Sequence, residues 1–346
     1  AAALRALHMP TVKYGGSDRF LQSAVALTTK GGLTMKKVIL LGEPLELFRT
    51  ENGALSEAEL FTASAAGAEL NVAVGLARLG LHPVYATIVG SDAGGDRILA
   101  FMRKHGIDSS LAAKDKYHQT TVIMKSSGET RRLTINPAVS FISADVFDKT
   151  DFSEISAVCF SGSFPTLCEN TAKAALHITQ LARSAEVPVV FDPNLRGAPK
   201  NSQKAIHIIN EFAAKSDIFL PSLNEAKVLC GFDDPEEIAE HYLSKGTRKI
   251  VIKLGKLGAF YKSAVESGIA PTFRADDVVD VEGAGDGFTA GLISGICEEI
   301  PLGEAVVRAN AVGCMQIQCR GAHAGLPTME KLREYMLDHR FVVEGC

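Results

Sequence analysis

The feature that most limits the fold is a short, almost continuous apolar run that recurs along the chain. It occurs at Lys37–Leu41 (KVILL), Val84–Val89, Ala157–Ser161, Val187–Phe191, Ile218–Leu220 and Ile250–Leu254, with helical patterns between. Strands with one wet face alternate polar and apolar residues, so runs like these read as strands covered on both faces. Strand alternating with helix then predicts an α/β class: a mostly parallel central sheet with helices on both sides. Ligands of such sheets sit beyond the carboxyl ends of the strands. Small or polar residues do follow each run: Gly42-Glu43, Gly90-Ser91-Asp92, Ser161-Gly162-Ser163, Asp192-Pro193-Asn194, Pro221-Ser222 and Gly255-Lys256. Each is also an ordinary turn sequence, and one shared site is the sharper reading.

Two stretches break this rhythm. Glu46–Phe61 and Tyr117–Ile135 alternate polar and apolar residues, the second around a Ser126-Ser127-Gly128 turn, which predicts antiparallel strands. Such strands present an exposed edge that needs a cover or a partner.

Val278–Glu299 (VVDVEGAGDGFTAGLISGICEE) reads as a strand end, a glycine-rich turn, an acid and an amphipathic helix that closes before Pro301. Gly283, Ala284 and Gly285 leave their amides uncovered where the helix begins, so N–H groups and the helix dipole converge on one spot suited to an anion. Asp286 follows in the first turn. A carboxylate beside an anion hole suits phosphoryl transfer, taking a proton from a hydroxyl while the amides stabilise the transferring group. A capping acid after a glycine turn has the same sequence, and both readings stand on spacing alone.

Composition narrows the partners. With 346 residues, a formal charge of −4 and no basic block, nothing points to nucleic acid or an anionic membrane. Seven cysteines form no C-x-x-C pair and lie mostly in apolar patterns, as free thiols of a cytoplasmic protein do. No run reaches the length of a membrane span. A Walker A sequence is absent, and Gly283-Ala284-Gly285 is not a Rossmann G-x-G-x-x-G, which argues against P-loop kinases and nicotinamide enzymes. The first 34 residues match none of these patterns, and Met35 reads as the start of the folded unit, residues 35–340.

Asp280–Asp286 followed by Ala290-Gly291-Leu292 resembles the second signature of the ribokinase-like, phosphofructokinase-B type carbohydrate kinases. Ala66-Gly67-Ala68-Glu69-Leu70-Asn71-Val72-Ala73, leading to Leu79-Gly80 and Gly90, resembles their first signature. The resemblance runs from about Lys36 to Met336 and comes nearest to 2-keto-3-deoxygluconate kinases, which share the Gly42-Glu43-Pro44-Leu45 opening and the D-x-N-x-R element at Asp192–Arg196. It implies an ATP- and Mg²⁺-dependent kinase of a small sugar or sugar acid, with a β lid formed by about 46–62 and 114–136 that also makes a homodimer contact.

The resemblance assigns Asp286 as general base and the amides of Gly283, Ala284 and Gly285 as the anion hole. It gives Gly67, Asn71 and Arg196 to the sugar, and Ser222, Lys253, Gly255, Gly258 and Asn310 to the nucleotide. Glu225 falls to Mg²⁺. Read without it, Gly67–Asn71 is a small-residue helix entry, Arg196 a surface residue, Asn224-Glu225 a helix start and Asn310 a buried amide. Two departures from the family pattern matter: Ser222 stands where Asn is usual, and Arg131-Arg132-Leu133 replaces the Tyr-Tyr-Arg run of the keto-acid kinases. Fructokinase- or nucleoside-kinase-like activity, and a catalytically silent sugar-binding protein, are the alternatives.

Overall fold

A computed structural model describes residues 36–50, 53–195 and 202–338. Its large sheet has nine strands: β1 (Lys37–Leu41), β4 (His82–Gly90), β5 (Ala112–Asp115), β8 (Ile155–Ser161), β9 (Val189–Asp192), β10 (Ile218–Phe219), β11 (Lys249–Lys253), β12 (Ala259–Ser263) and β13 (Ser267–Ala270). Their order is β13-β12-β11-β10-β9-β8-β1-β4-β5. The six pairings from β11 to β5 are parallel, and only β12 and β13 join antiparallel at one edge.

Burial on both faces explains the unbroken apolar runs. Val38 and Leu40 of β1 point into one core with Leu70 and Val74 of α1 (Ala68–Arg78), Ile98 of α2 (Ala93–Lys104), Leu292 of α7 (Ala284–Cys297) and Val306 of α8 (Leu302–Gln316). Ile39 and Leu41 point the other way, to Ile178 of α3 (Glu169–Ser184), Ile209 of α4 (Gln203–Lys215), Leu229 of α5 (Leu223–Cys230) and Tyr242 of α6 (Pro235–Ser244). The last described helix, α9 (Met329–Asp338), adds Leu332 to the first core. Each such aliphatic residue contributes on the order of 2 kcal/mol relative to exposure, so β1 is fixed from both sides. No described helix is long and apolar enough to cross a membrane.

The second sheet has four strands, β2 (Leu45–Arg49), β3 (Thr62–Ala66), β6 (Thr121–Lys125) and β7 (Thr130–Arg132), in the order β3-β2-β6-β7. Its outer pairings are antiparallel, and β2 and β6 run parallel at its centre. The expected strand region ended at Phe61, yet β3 begins at Thr62. The reason is composition: Ala63-Ser64-Ala65-Ala66 carries no alternation, and only pairing with β2 makes it a strand. The small sheet rests on α2, where Arg97 Nε donates to Glu46 Oε1 at 2.8 Å.

Candidate active site

Two helices bring the signatures together. Gly283 caps α7 at φ +78°, and a methyl there would lie 1.9 Å from the Ala322 carbonyl oxygen, so only glycine makes this turn. Asp286 stands in the first turn that follows. On α1, Gly75 lets the two helices touch, since a methyl on it would lie 2.6 Å from Ala290 Cβ. That approach carries Asn71 Nδ2 to within 2.7 Å of Asp286 Oδ2, joining residues 215 positions apart. Gly67, at φ +138°, is the N-cap of α1 and lies against the Glu43 carbonyl.

Three strand ends supply the opposite wall. Lys253, the last residue of β11, donates to Asp192 Oδ2 of β9 at 2.6 Å, and Thr289 Oγ1 of α7 donates to the same oxygen at 3.3 Å. Beside them the Ser222 amide and hydroxyl donate to Glu225 Oε2 at 2.8 and 2.7 Å, and the Leu195 amide donates to Oε1 at 3.0 Å. Burial opposes the charge on Lys253, but Asp192, Glu225 and Asp286 outweigh it and hold the ammonium above its ordinary range. Burial likewise pushes Glu225 up, and Lys253 with the Ser222 and Leu195 bonds pulls it below the usual carboxylate range. Both groups therefore stay charged at neutral pH. The Lys253 ammonium also faces the amide turn: a methyl on Gly285 would lie 3.9 Å from Nζ. A cation, a helix N-terminus and an oriented carboxylate share one spot, where an anion and a hydroxyl can meet.

Other predicted positions divide. Gly255, at φ +62°, opens a short 3₁₀ turn directly after Lys253, and Gly258 follows it with its Cα against the Ala270 carbonyl. Asn310 is buried and gives its amide hydrogens to the Ala270 and Pro271 carbonyls at 2.9 and 3.1 Å, tying α8 to the end of β13. Arg196 lies outside the described residues, as do the first 34 positions.

Sequence reasoning passed over three acids. Glu69 is buried, its Oε1 accepts the Ser161 amide at 2.9 Å, and a methyl on Gly42 would lie 2.5 Å from Oε2 and 2.6 Å from the Tyr85 hydroxyl. Burial lifts its carboxyl to about 7, opposed by the Ser161 bonds and aided by Asp286. The Tyr85 hydroxyl is buried without a partner among the described residues. Glu43 is paired by Arg132, whose Nη1 meets Oε2 at 3.0 Å, and accepts the Thr121 hydroxyl. Glu282 takes Lys125 at 3.0 Å and Arg49 as well. The one local signal was acids standing inside the quoted signatures; their burial and partners come from distant strands.

Comparison with known proteins shows the family of the chain. The sequence pattern of the pfkB family carbohydrate kinases matches residues 35–329. The chain belongs to that family and is an ATP-dependent sugar kinase with the ribokinase-like fold. It is 36% identical to the 2-dehydro-3-deoxygluconokinase of Bacillus subtilis (strain 168) over 312 residues, 88% of this chain and 96% of that protein. It is 28% identical to fructokinase-1 of Oryza sativa subsp. japonica, over 82% of this chain and 91% of that one. Among solved structures, the PfkB protein from Polaromonas sp. JS666 superposes with a TM-score of 0.76 at 33% identity, covering 86% of this chain and 99% of its own.

Proposed function

We propose that the chain phosphorylates a hydroxyl of a small sugar acid of the 2-keto-3-deoxygluconate type. The observation that carries the chemistry is the Asn71–Asp286 contact of 2.7 Å at the mouth of the amide turn. Asn71 orients the carboxylate, Asp286 takes the hydroxyl proton, and the freed oxygen attacks the terminal phosphorus of ATP as the bond to the β-phosphate oxygen breaks and ADP leaves. The amides from Gly283 to Asp286 and the Lys253 ammonium stabilise the charge on the moving group. Ala284's amide makes only a long 3.4 Å bond to the Val281 carbonyl, one that an anion can displace. The Gly255–Gly258 turn borders the nucleotide phosphates, and Asn310 shapes the wall beyond through the Ala270 and Pro271 carbonyls.

Mg²⁺ fits this donor set in a limited way. The described residues hold no cluster of three or more metal-ligating side chains, and Glu225 already accepts three hydrogen bonds. Such a site suits an ion carried by nucleotide phosphates and water, with Glu225 and Asp192 bonding its waters. An ion held there would neutralise phosphate charge. Ser222 serves as helix cap beside it, not as a ligand of its own.

An acidic substrate is favoured by the similarity to the Bacillus enzyme and by Arg132. Arg132 pairs across from Ile123, which puts it on the sheet face it shares with Thr121 and Lys125. A guanidinium there suits a substrate carboxylate. We also infer a cytoplasmic enzyme, supported by its free thiols. A homodimer through the small sheet is supported by the exposed Leu60, Leu133 and Ile135 at its margin, and sedimentation of the native chain tests it.

ADP release measured over hexoses, pentoses, keto-deoxy acids and nucleosides, with native protein and Asp286→Asn, tests the reading. The substitution should lower turnover at least ~10²-fold while sugar binding persists, the low end for a lost general base. Turnover within threefold of native would remove Asp286 from that role.

A further inference from the structure

The turn that carries the amides is held on both sides by different means. Its backbone is pinned to the body of the protein: the Glu282 amide donates to Asp280 Oδ1 at 3.0 Å, the Gly321 amide donates to Asp280 Oδ2 at 3.0 Å, and Gln316 Nε2 donates to the Glu282 carbonyl at 3.1 Å. Its acidic side chain, Glu282, is left to the small sheet. Arg49 ends β2 and Lys125 ends β6, and they are direct cross-strand partners with side chains on the same face. Both converge on Glu282, Lys125 Nζ at 3.0 Å from Oε1 and Arg49 on Oε2. These contacts join residues 233 and 157 positions apart, and Glu282 stands next to Gly283, the cap of the anion-facing helix.

We propose that Glu282 is a positioning residue for phosphoryl transfer: through Arg49 and Lys125 it draws the four-stranded sheet onto the amide turn and closes the cleft above Asp286 to water. This rests on the reading that Asp286 and the amide turn handle the phosphoryl group.

The charges make the tie more than an exposed ion pair. An isolated pair with about a fifth to a third of each side chain exposed contributes little. Here one acid serves two cations on adjacent strands, and like charges facing each other across a ladder repel. Removing the acid therefore replaces two attractions by an Arg49–Lys125 repulsion at the end of the sheet that meets the turn. Burial pushes the Glu282 carboxyl up, but the Arg49 and Lys125 bonds outweigh it and keep it below the usual carboxylate range, so the tie is charged at neutral pH. The opposite face of the sheet is anchored on α2 through Glu46 and Arg97. On the near face Arg132 and Thr121 hold Glu43, while Arg49 and Lys125 reach Glu282 and so tie the sheet to the amide turn itself. A sugar kinase whose cover is loose transfers the phosphoryl group to water, releasing ADP and phosphate, in place of transferring it to the sugar.

The test measures ADP release by the full chain with 2-keto-3-deoxygluconate, with fructose, and with no sugar, alongside phosphorylated product. Glu282→Gln should raise the KM for the sugar about tenfold while kcat stays within about threefold, and should raise the ratio of ATP hydrolysed to sugar phosphorylated several-fold. Lys125→Glu combined with Glu282→Lys restores opposite charges across the gap and should bring the sugar KM back to within about threefold of native. Thermal unfolding of each variant separates a folding defect from a coupling defect. If Glu282→Gln lowers Tm but leaves sugar KM and the hydrolysis ratio unchanged, or if only the KM for ATP moves, the proposal is wrong. Asp286→Asn fails separately: a turning-over Asp286→Asn sinks the general-base reading, whereas a dead Asp286→Asn with a silent Glu282→Gln sinks only the tie.

Discussion

At the carboxyl edge of the large sheet, Lys253 meets Asp192 with 17% and 15% of their side chains exposed, inside a group that also holds Glu225, Thr289 and Asp286. On the small sheet, Arg132 meets Glu43 with 36% and 11% exposed, and Lys125 meets Glu282 with 34% and 21% exposed. The chemistry of the pairs is the same and their surroundings are not. In the first group each charge has lost most of its water, so each depends on its neighbours and none can leave without stranding another. In the second, the cations keep about a third of their exposure while their acids are covered, so water competes for the cation and a substrate anion can take the place of a partner there. The large sheet thus supplies fixed machinery and the small sheet supplies exchangeable contacts.

The sharpest way to break this contrast is Lys253→Met. Removing the ammonium strands Asp192 beside Glu225, and the expected loss is about 3 kcal/mol, the low end for breaking a buried pair, because the site keeps some exposure. A fall in Tm of at least about 5 °C should follow, with turnover reduced at least ~10²-fold as the charge facing the amide turn is lost. Differential scanning calorimetry and ADP release measure the two effects. A Tm within 1 °C of native would mean that the two sheets hold their charges alike.

How much of this was legible in the sequence follows from how local each feature is. The strands of the parallel sheet could be read from KVILL and its kin because burial on both faces leaves no alternation to confuse, whereas β12 and β13 are short, mixed in character and visible only through pairing with β11. The Gly283–Asp286 turn could be read because its chemistry lies within four residues. The Lys253–Asp192 pair could not, since 61 positions separate its members. Ser222 and Glu225 stood three apart, the spacing of a capping box, and the structure uses them as one; the resemblance alone pointed to nucleotide and metal. Glu69 stands in the first turn of α1, and nothing local says that Ser161 at the end of β8 and Gly42 just past β1 will close over it.

Glu69 sharpens the contrast by pH. Its carboxyl rises from 4.5 to about 7 on folding, chiefly through burial. Between those values the native chain holds a proton that the unfolded chain has released, so stability falls as pH climbs through the window and is level above it. The Glu69 contribution to that fall is on the order of 3 kcal/mol. Urea unfolding at pH 5 and pH 8 should show a smaller difference between the two pH values for Glu69→Gln than for native protein. Equal differences would assign the slope to other groups.

The smallest effect is expected on the exposed side of the comparison. Arg132→Ala removes a guanidinium that is about one-third open to water and leaves Glu43 with the Thr121 hydroxyl, so Tm should move by less than about 2 °C. If the guanidinium exchanges Glu43 for a substrate carboxylate, the loss appears in binding: the KM for 2-keto-3-deoxygluconate should rise about tenfold, equivalent to roughly 1.4 kcal/mol. The KM for fructose, which has no carboxylate, should stay within about twofold, because Glu43 and Thr121 remain in place. Arg132→Lys should recover part of the loss, since it keeps the charge and gives up the bidentate fork. Equal rises for both sugars would assign Arg132 to holding Glu43 in position and not to choosing the substrate. A large fall in Tm would place this pair with the buried group, and the division of labour between the two sheets would fail at that point.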